Sequence, residues 1–357
     1  MSVSKTAPKA ILKALQEALT SGPAQQIGDA GYYKPRPQLF HHYNGSTWVS
    51  YSPQNYPNGA ELPTKNLRIM SWNIDMLIGF AEERMSAALA HLSNLVASTN
   101  KEVPVVIFLQ EMSQSDMQQI RNAPFIQNYF YITDLDERNW LSPLYGTNTL
   151  IDRRLTIKNV FRVPWISKFG RDGLFVDLTL SDQGKGRVLR LCNTHLESLV
   201  ADPPVRPLQL QAAAPYLHDS SVAAGLLAGD LNAIQPFDRA LHSDNDLKDA
   251  YLELGGQEDS DDGYTWGYQV PQALREKFGC SRMDKILFSG ALRPQKFERI
   301  GMGVKVAEEK RQEMRAAGEE EWVTDHYGVM ADFHLNDESV LAMTEKREDE
   351  SPLSKLS

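Results

Sequence analysis

Acids, amides and histidines recur in this chain where apolar runs stop. LRIMSW (67–72) leads into Asn73 and Asp75, VPVVIFLQ (103–110) into Glu111, VLRLCNT (188–194) into His195, and AAGLLAG (223–229) into Asp230 and Asn232. SRMDKILFSG puts Asp284 at the mouth of another apolar run, and VTDHYGVMADF sets Asp325 and His326 just ahead of the last one. Ligands of α/β sheets collect at the carboxyl ends of strands, so these positions converge if the strands lie side by side. Alternation along a strand adds a prediction: Asn73 with Asp75, Asp230 with Asn232, and Glu111 with Val105, Ile107 and Leu109 each share a face.

Singly, each residue has a plain structural reading. An Asp or Asn after a strand is commonly a turn former or a helix cap, and a lone His is commonly a packed one. The set is what points to chemistry. Asp, Glu and Asn supply the hard oxygen ligands that suit Mg²⁺, and the Cys/His clusters of structural zinc are missing. There is no H-E-x-x-H pair and no G-x-S-x-G elbow, which argues against a zinc protease or a serine hydrolase.

The elements that must position these residues alternate short apolar runs with helical patterns, as in an α/β protein. Strands are expected at 67–74, 103–110, 129–133, 147–151, 155–163, 173–180, 187–194, 224–229, 283–288, 295–300 and 327–334, with Gly184 and Gly186 turning a hairpin. Helices are expected at 80–98, 114–122 and 206–218. Eleven strands exceed an ordinary open sheet, so two packed sheets with helices outside are expected. A short amphipathic pattern (Ile11, Leu12, Leu15, Leu19) and a Tyr/Pro/His-rich stretch make 1–63 an N-terminal arm on the main body. Residues 64–336 form the core, and 337–357, with six acids and three bases, reads as a loose charged tail.

The chain has 357 residues, 42% hydrophobic and 23% charged, enough for a sizeable core. Its 37 Lys and Arg against 46 Asp and Glu leave a net −9, which excludes coating nucleic acid through bulk positive charge. A polyanionic substrate has to be met by local contacts. Two cysteines, Cys192 and Cys280, cannot build a disulfide framework and fit a reducing compartment. With no signal-like start and no apolar run near the ~20 residues that span a bilayer, a nuclear or cytoplasmic monomer away from the membrane is expected, not a secreted protein.

WNID (72–75), LQEM (109–112), NTHLES (193–198), GDLN (229–232), SRMD (281–284) and TDH (324–326) resemble, in order, the motifs of the endonuclease/exonuclease/phosphatase superfamily of Mg²⁺-dependent phosphodiesterases. The resemblance implies a four-layer α/β sandwich, two packed mixed β-sheets flanked by helices. WNID, THLES, GDLN followed by LKDAYLELG (247–255), and YTW (264–266) ahead of SRMDKILF narrow it to the branch that releases topoisomerase II tyrosine adducts from DNA 5′ ends. The implied cofactor is Mg²⁺, with Mn²⁺ as a substitute, and the implied partner is a DNA 5′ end bearing a phosphotyrosyl peptide. Implied roles follow residue by residue. Glu111 is a metal ligand and Asp325 reaches the metal through water. Asn73 and Asp75 support the site, Asp230 with Asn232 positions the attacking water, and His195 and His326 hold phosphoryl oxygens, Asp284 partnering His326. Ser198 and Arg206 are candidate phosphate contacts, Trp266 is read either as a wall for the DNA end or as core, and Met283 borders the substrate groove. Two positions depart from the branch: Ile234 stands where its arginine follows the GDxN motif, and Met283 where it has an aromatic. Another phosphodiesterase of the superfamily (an abasic-site endonuclease, a deadenylase-like nuclease, a phosphatase or phospholipase) and an inactive binding scaffold are the alternatives.

Overall fold

The computed structural model describes residues 32–51, 64–75, 78–181, 186–336 and 340–341. In chain order the strands are β1 (Arg36–Pro37), β2 (Phe40–Tyr43), β3 (Trp48–Tyr51), β4 (Asn66–Asn73), β5 (Val105–Met112), β6 (Phe130–Ile132), β7 (Gly146–Asp152), β8 (Ile157–Pro164), β9 (Asp172–Ser181), β10 (Val188–His195), β11 (Val222–Asp230), β12 (Lys248–Asp249), β13 (Asp284–Gly290), β14 (Leu292–Ile300), β15 (Gly328–Leu335) and β16 (Val340–Leu341). The helices are α1 (Ala81–Ser98), α2 (Gln114–Asn122), α3 (Pro124–Tyr129), α4 (Arg206–Leu217), α5 (Ala250–Glu253), α6 (Gln272–Phe278) and α7 (Glu308–Ala316). One sheet runs β1-β8-β9-β10-β11-β13-β12, the other β14-β15-β4-β5-β7-β6-β2-β3. Each is antiparallel except for one inner parallel pair, β10 with β11 and β4 with β5, so the strand ends that carry His195, Asp230, Asn73 and Glu111 lie two by two. All eleven expected strands and all three expected helices form within three residues of their expected bounds.

The layers follow from alternation. Leu67, Ile69, Val106 and Phe108 of one sheet meet Leu189, Leu191, Leu226, Ala228, Ile286 and Phe288 of the other in the central core. On the outer face of the β4–β5 sheet, Met70, Trp72, Ile107 and Leu109 pack under Met85, Leu92, Met117 and Ile120 of α1 and α2. On the outer face of the β10–β11 sheet, Cys192, Leu227 and Leu287 pack under Leu210, Ala213 and Leu217 of α4. The result is a four-layer α/β sandwich, helix on sheet on sheet on helix. Gly229 shows how closely the central strands approach: at φ +152°, a Cβ there would lie 1.7 Å from the Thr194 carbonyl oxygen, so only glycine fits ahead of Asp230.

Two segments differ from expectation. Residues within the expected arm enter both sheets, β1 beside β8 and the β2–β3 hairpin beside β6 through His41 and Ile132. Along the expected loose tail, β16 pairs with β9 and Leu341 is buried, because β9 outruns β10 and leaves an open edge at Leu180 and Ser181. The remainder of the tail, the Ile11–Leu19 pattern and Gly184 lie outside the described residues. No described helix is long and apolar enough to cross a membrane.

Candidate active site

Toward one end the central core turns polar in two steps. In the first, Ser71, Gln110 and Asn193 join the sheets: Gln110 Nε2 donates to Asn193 Oδ1 at 2.8 Å and to Ser71 Oγ at 3.1 Å, and Asn193 Nδ2 donates to the Asn148 carbonyl at 2.9 Å. These groups are buried and bonded to one another, so the layer costs little and fixes the register of one sheet on the other. One alternation further along β4 and β10 sit Asn73 and His195, level with Asp230 at the end of β11 and Asp284 at the start of β13, with His326 on the segment before β15.

Asp230, 1% exposed, is the node. Asn73 Nδ2 donates to its Oδ2 at 2.9 Å, and the Asn232 backbone N–H donates to its Oδ1 at 2.8 Å. His195 Nε2 and His326 Nε2 lie 3.3 and 3.7 Å from Oδ2. Burial alone would raise this carboxyl, but the two imidazoles and the Asn232 N–H hold it well below the usual carboxylate range. Asp230 is therefore ionised at neutral pH.

The two histidines are held in opposite ways. Burial lowers the pKa of His195, and the Arg171 guanidinium, with Nη1 2.6 Å from His195 Nδ1, lowers it further. Arginine only donates, so Nδ1 accepts and the neutral ring carries its proton on Nε2, toward Asp230. Burial also pulls His326 down, but the Asp284, Asp325 and Asp230 carboxylates outweigh it and lift His326 well above its ordinary value. Its Nδ1 donates to Asp284 Oδ2 at 2.8 Å. Asp284, dehydrated by burial, is itself pushed up to about 6. Thr265 Oγ1 sets this dyad by accepting from the Met283 and Asp284 backbone N–H groups at 3.1 and 3.0 Å, and Trp72 Nε1 anchors the His326 carbonyl at 3.1 Å.

Glu111 is at the same layer, its Oε1 3.8 Å from His195 Nε2, but not by simple alternation. Val105, Ile107 and Leu109 face the outer helices, and an extended Glu111 would follow them. A shift in the β5–β7 register between Leu109 and Met112, with Glu111 at φ +56°, turns the carboxylate back between the sheets. Asp75 (φ +55°) and Asn232 (φ +48°) are left-handed too, so three strand ends break regular geometry at this spot, a clustering typical of functional sites. The Asp75 N–H caps Asn73 Oδ1 at 2.9 Å, and Asn232 Nδ2 holds the Leu196 carbonyl at 3.0 Å.

The remaining expected residues distribute differently. Ser198 Oγ accepts from Arg171 Nη2 at 2.6 Å. Trp266 is half-buried and spends its indole N–H on Asp325 Oδ2 at 2.7 Å, so it orients that carboxylate, a role beyond both wall and core. Arg206 is corrected: it is 3% exposed and pairs with Asp238 at 2.9 and 2.7 Å while capping the Glu197 and Leu199 carbonyls, so it clamps the loop after His195 and offers no hand to a phosphate. Met283 is corrected too: with 8% exposure its side chain is core, and its main chain ties the Leu231 N–H to Thr265. The sequence reading missed Arg171, Thr265, Gln110 and Asn193. Polar residues at alternate inward positions of β5 and β10 signal the last two.

Ligand atoms of Asp230, Asp284 and His326 lie within 4.8 Å of one another, a grouping that could hold a cation. A protonated His326 engaged by Asp284 is a poor ligand, because metal-bound imidazole must be neutral. The oxygen donors of Glu111 and Asp325 at the open side of the layer, 15% and 28% exposed, fit a hard divalent ion better.

A four-layer sandwich that gathers an ionised, amide-held aspartate, one neutral and one cationic imidazole donor and carboxylates suited to a divalent ion defines a metal-dependent phosphodiesterase. The Endonuclease/Exonuclease/phosphatase family matches residues 70–326, and the chain belongs to that family. Solved structures with the same fold include D. rerio TDP2 complexed with single strand DNA product (21% identity, 76% of this chain and 100% of that one, TM-score 0.56). Truncated Caenorhabditis elegans TDP2 (21%, 75% and 97%, 0.56) and the human Nocturnin catalytic domain with bound sulfate (18%, 78% and 97%, 0.51) share it as well. No curated protein sequence matches the chain.

Proposed function

We propose that the protein is a Mg²⁺-dependent 5′-tyrosyl-DNA phosphodiesterase that hydrolyses the bond between a topoisomerase II tyrosine and a DNA 5′ phosphate, acting as a monomer in the nucleus or cytosol in DNA repair. The observation that carries this reading is the convergence of His195 and His326 on Asp230 beside Glu111. Held ionised by the two imidazoles and the Asn232 N–H and oriented by Asn73, Asp230 positions a water and takes up its proton as the new bond forms, help of a kind worth ~10²- to 10⁴-fold. His195 and His326 each present an Nε2–H to the charge growing on the phosphoryl oxygens, preorganised donors of the sort that dominate such catalysis. A Mg²⁺ held by Glu111, with Asp325 nearby, would polarise the phosphoryl group.

Beside His326 the rim is aromatic and cationic, which suits a DNA strand. Trp266 meets Phe278 edge-on at 6.5 Å, Phe278 is 58% exposed, and Lys277 and Arg275 sit 4.9 Å from the ring centroids of Phe278 and Tyr268. Aromatic faces with flanking cations bind unpaired bases at ~1 to 3 kcal/mol each. This local patch answers the net −9 of the chain. The D. rerio TDP2 structure with single strand DNA product supports the same substrate class.

A 5′-phosphotyrosyl oligonucleotide incubated with the protein and Mg²⁺ should yield a 5′-phosphate. Glu111→Gln and Asp230→Asn should each reduce the rate by at least about 10²-fold; unchanged rates in both would remove these residues from the site. The fold likeness to Nocturnin favours a second reading, another phosphodiesterase of the family. Abasic DNA, poly(A) RNA, inositol phosphates and sphingomyelin tested in parallel decide between the two, since faster turnover of any of them displaces the tyrosyl substrate.

A further inference from the structure

On the Nδ1 side of His195, away from Asp230, a small crevice is walled by Trp140, Tyr145, Gly170 and Arg171. Its geometry is built. The Trp140 indole lies flat over Gly146, where a Cβ would meet it at 2.3 Å, and Gly170 turns at φ +70° so closely that a Cβ would sit 2.8 Å from the Ser142 nitrogen. Two donors in this wall are buried without partners, Trp140 Nε1 and Arg171 Nε, on side chains 8% and 4% exposed. An unpaired buried donor costs ~1 to 3 kcal/mol, and two in one crevice ask for a common acceptor.

Nearby protein acceptors are already committed. Both oxygens of Asp172 and Thr147 Oγ1 take Arg162 Nη1 at 2.9 to 3.1 Å, and the Phe169 carbonyl takes the Tyr145 hydroxyl at 3.0 Å. The crevice is about 10 Å³, room for a single water.

We propose that this crevice is a binding site for a single acceptor oxygen, which receives the N–H of Trp140 and the Nε–H of Arg171. Two sources have this chemistry: a structural water, or an oxygen of the group leaving the phosphate. In either case the oxygen fixes the third edge of a guanidinium whose other two hold His195 Nδ1 and Ser198 Oγ. Trp140 is thus a positioning residue acting through Arg171 on the tautomer of His195. The proposal adds to the phosphodiesterase reading, and its crystallographic test is independent of it.

Crystals of the full chain, free and soaked with a non-hydrolysable phosphotyrosyl dinucleotide, should show an oxygen within hydrogen-bond reach of both Trp140 Nε1 and Arg171 Nε. Density in the free crystal identifies a water; density only in the soaked crystal identifies a substrate oxygen. No density in either, with both donors turned onto protein acceptors, overturns the proposal. Trp140→Phe keeps the ring over Gly146 and removes only the N–H. With a water, kcat should fall about fivefold at constant KM; with a substrate oxygen, KM should rise about fivefold. In both cases the imidazole ¹⁵N signals of His195 should move toward a mixture of tautomers, which a packing role alone would not cause. A Trp140→Phe protein with unchanged kcat, KM and His195 signals overturns the proposal. A wild-type protein that hydrolyses no phosphodiester would sink the functional reading while leaving the crystallographic result standing.

Discussion

His195 and His326 stand on opposite sides of one carboxylate. Both are buried, both bring Nε2 within 3.7 Å of Asp230 Oδ2, and both present an N–H there. What differs is the group behind each ring. Arg171 donates to His195 Nδ1, so the ring is neutral and its proton is forced onto Nε2. Asp284 accepts from His326 Nδ1, so the ring is cationic and donates from both nitrogens. The same donor is thus made by a cation on one side and an anion on the other. The consequence is a choice of net charge: two cations, Arg171 and His326, face the carboxylates of Asp230, Asp284, Glu111 and Asp325, which leaves a residual negative charge for a divalent ion to answer.

The comparison breaks first at the rings themselves. A charge-assisted hydrogen bond is roughly twice as strong as a neutral one, and one transition-state donor is worth about 10² to 10³ in kcat. His326→Gln should therefore lower kcat about 10³-fold and His195→Gln about 10²-fold, measured at saturating Mg²⁺ on the same phosphodiester. Equal losses would mean that the charge on His326 is not used.

The groups behind the rings come next, and their signatures lie in the pH profile of kcat. In the proposed reaction His326 works protonated and loses that proton as pH rises through its raised value, so it sets the alkaline limb. Asp284→Asn removes the first of the carboxylates that hold the proton while burial still opposes it, and the alkaline limb moves to lower pH. His195 works neutral and gains a proton only as pH falls, so it sets the acid limb. Arg171→Met removes the cation that keeps the proton away, the His195 value rises, and the acid limb moves to higher pH. Each change should cost about tenfold at the pH optimum, as is usual for groups that orient a catalytic residue from behind. Limbs that move together, or in the reverse sense, would refute the assignment of the two protonation states.

This asymmetry was only half legible in the sequence. Asp284 and His326 sit in motifs with a known pairing, and the ends of β4, β10 and β11 could be read from apolar runs that stop at a polar residue. Arg171 could not, because it matters only through register: Gly173 pairs with Thr194, which brings the residues just before β9 level with His195. Glu111 lies at the layer where it was expected, but on a different geometric ground. Strict alternation points it at the helices, and a bulge with a left-handed backbone, which no residue type there announces, sends it inward. Arg206 looked like a free hand after THLES because its partner Asp238 is 32 residues away in sequence. Long-range pairing and local backbone inversion were what pattern could not supply.

The smallest effect separates holding Asp284 in place from supplying its charge. Thr265 Oγ1 accepts two backbone N–H groups, those of Met283 and Asp284, and Thr265→Val keeps the shape while leaving both donors unpaired in a buried setting. Each unpaired donor costs ~1 to 3 kcal/mol, so urea denaturation should show a clear loss of stability. The Thr265 hydroxyl also lowers the Asp284 carboxyl, but the carboxylate remains beside His326, and so does the main reason for His326 to stay protonated. We expect kcat to fall only about threefold, roughly half of that 1.4 kcal/mol which would make it tenfold, with the alkaline limb where it stands in the wild type. A limb that moved as far as in Asp284→Asn would show that the position of the carboxylate, set by Thr265, governs the proton on His326 more than its charge does.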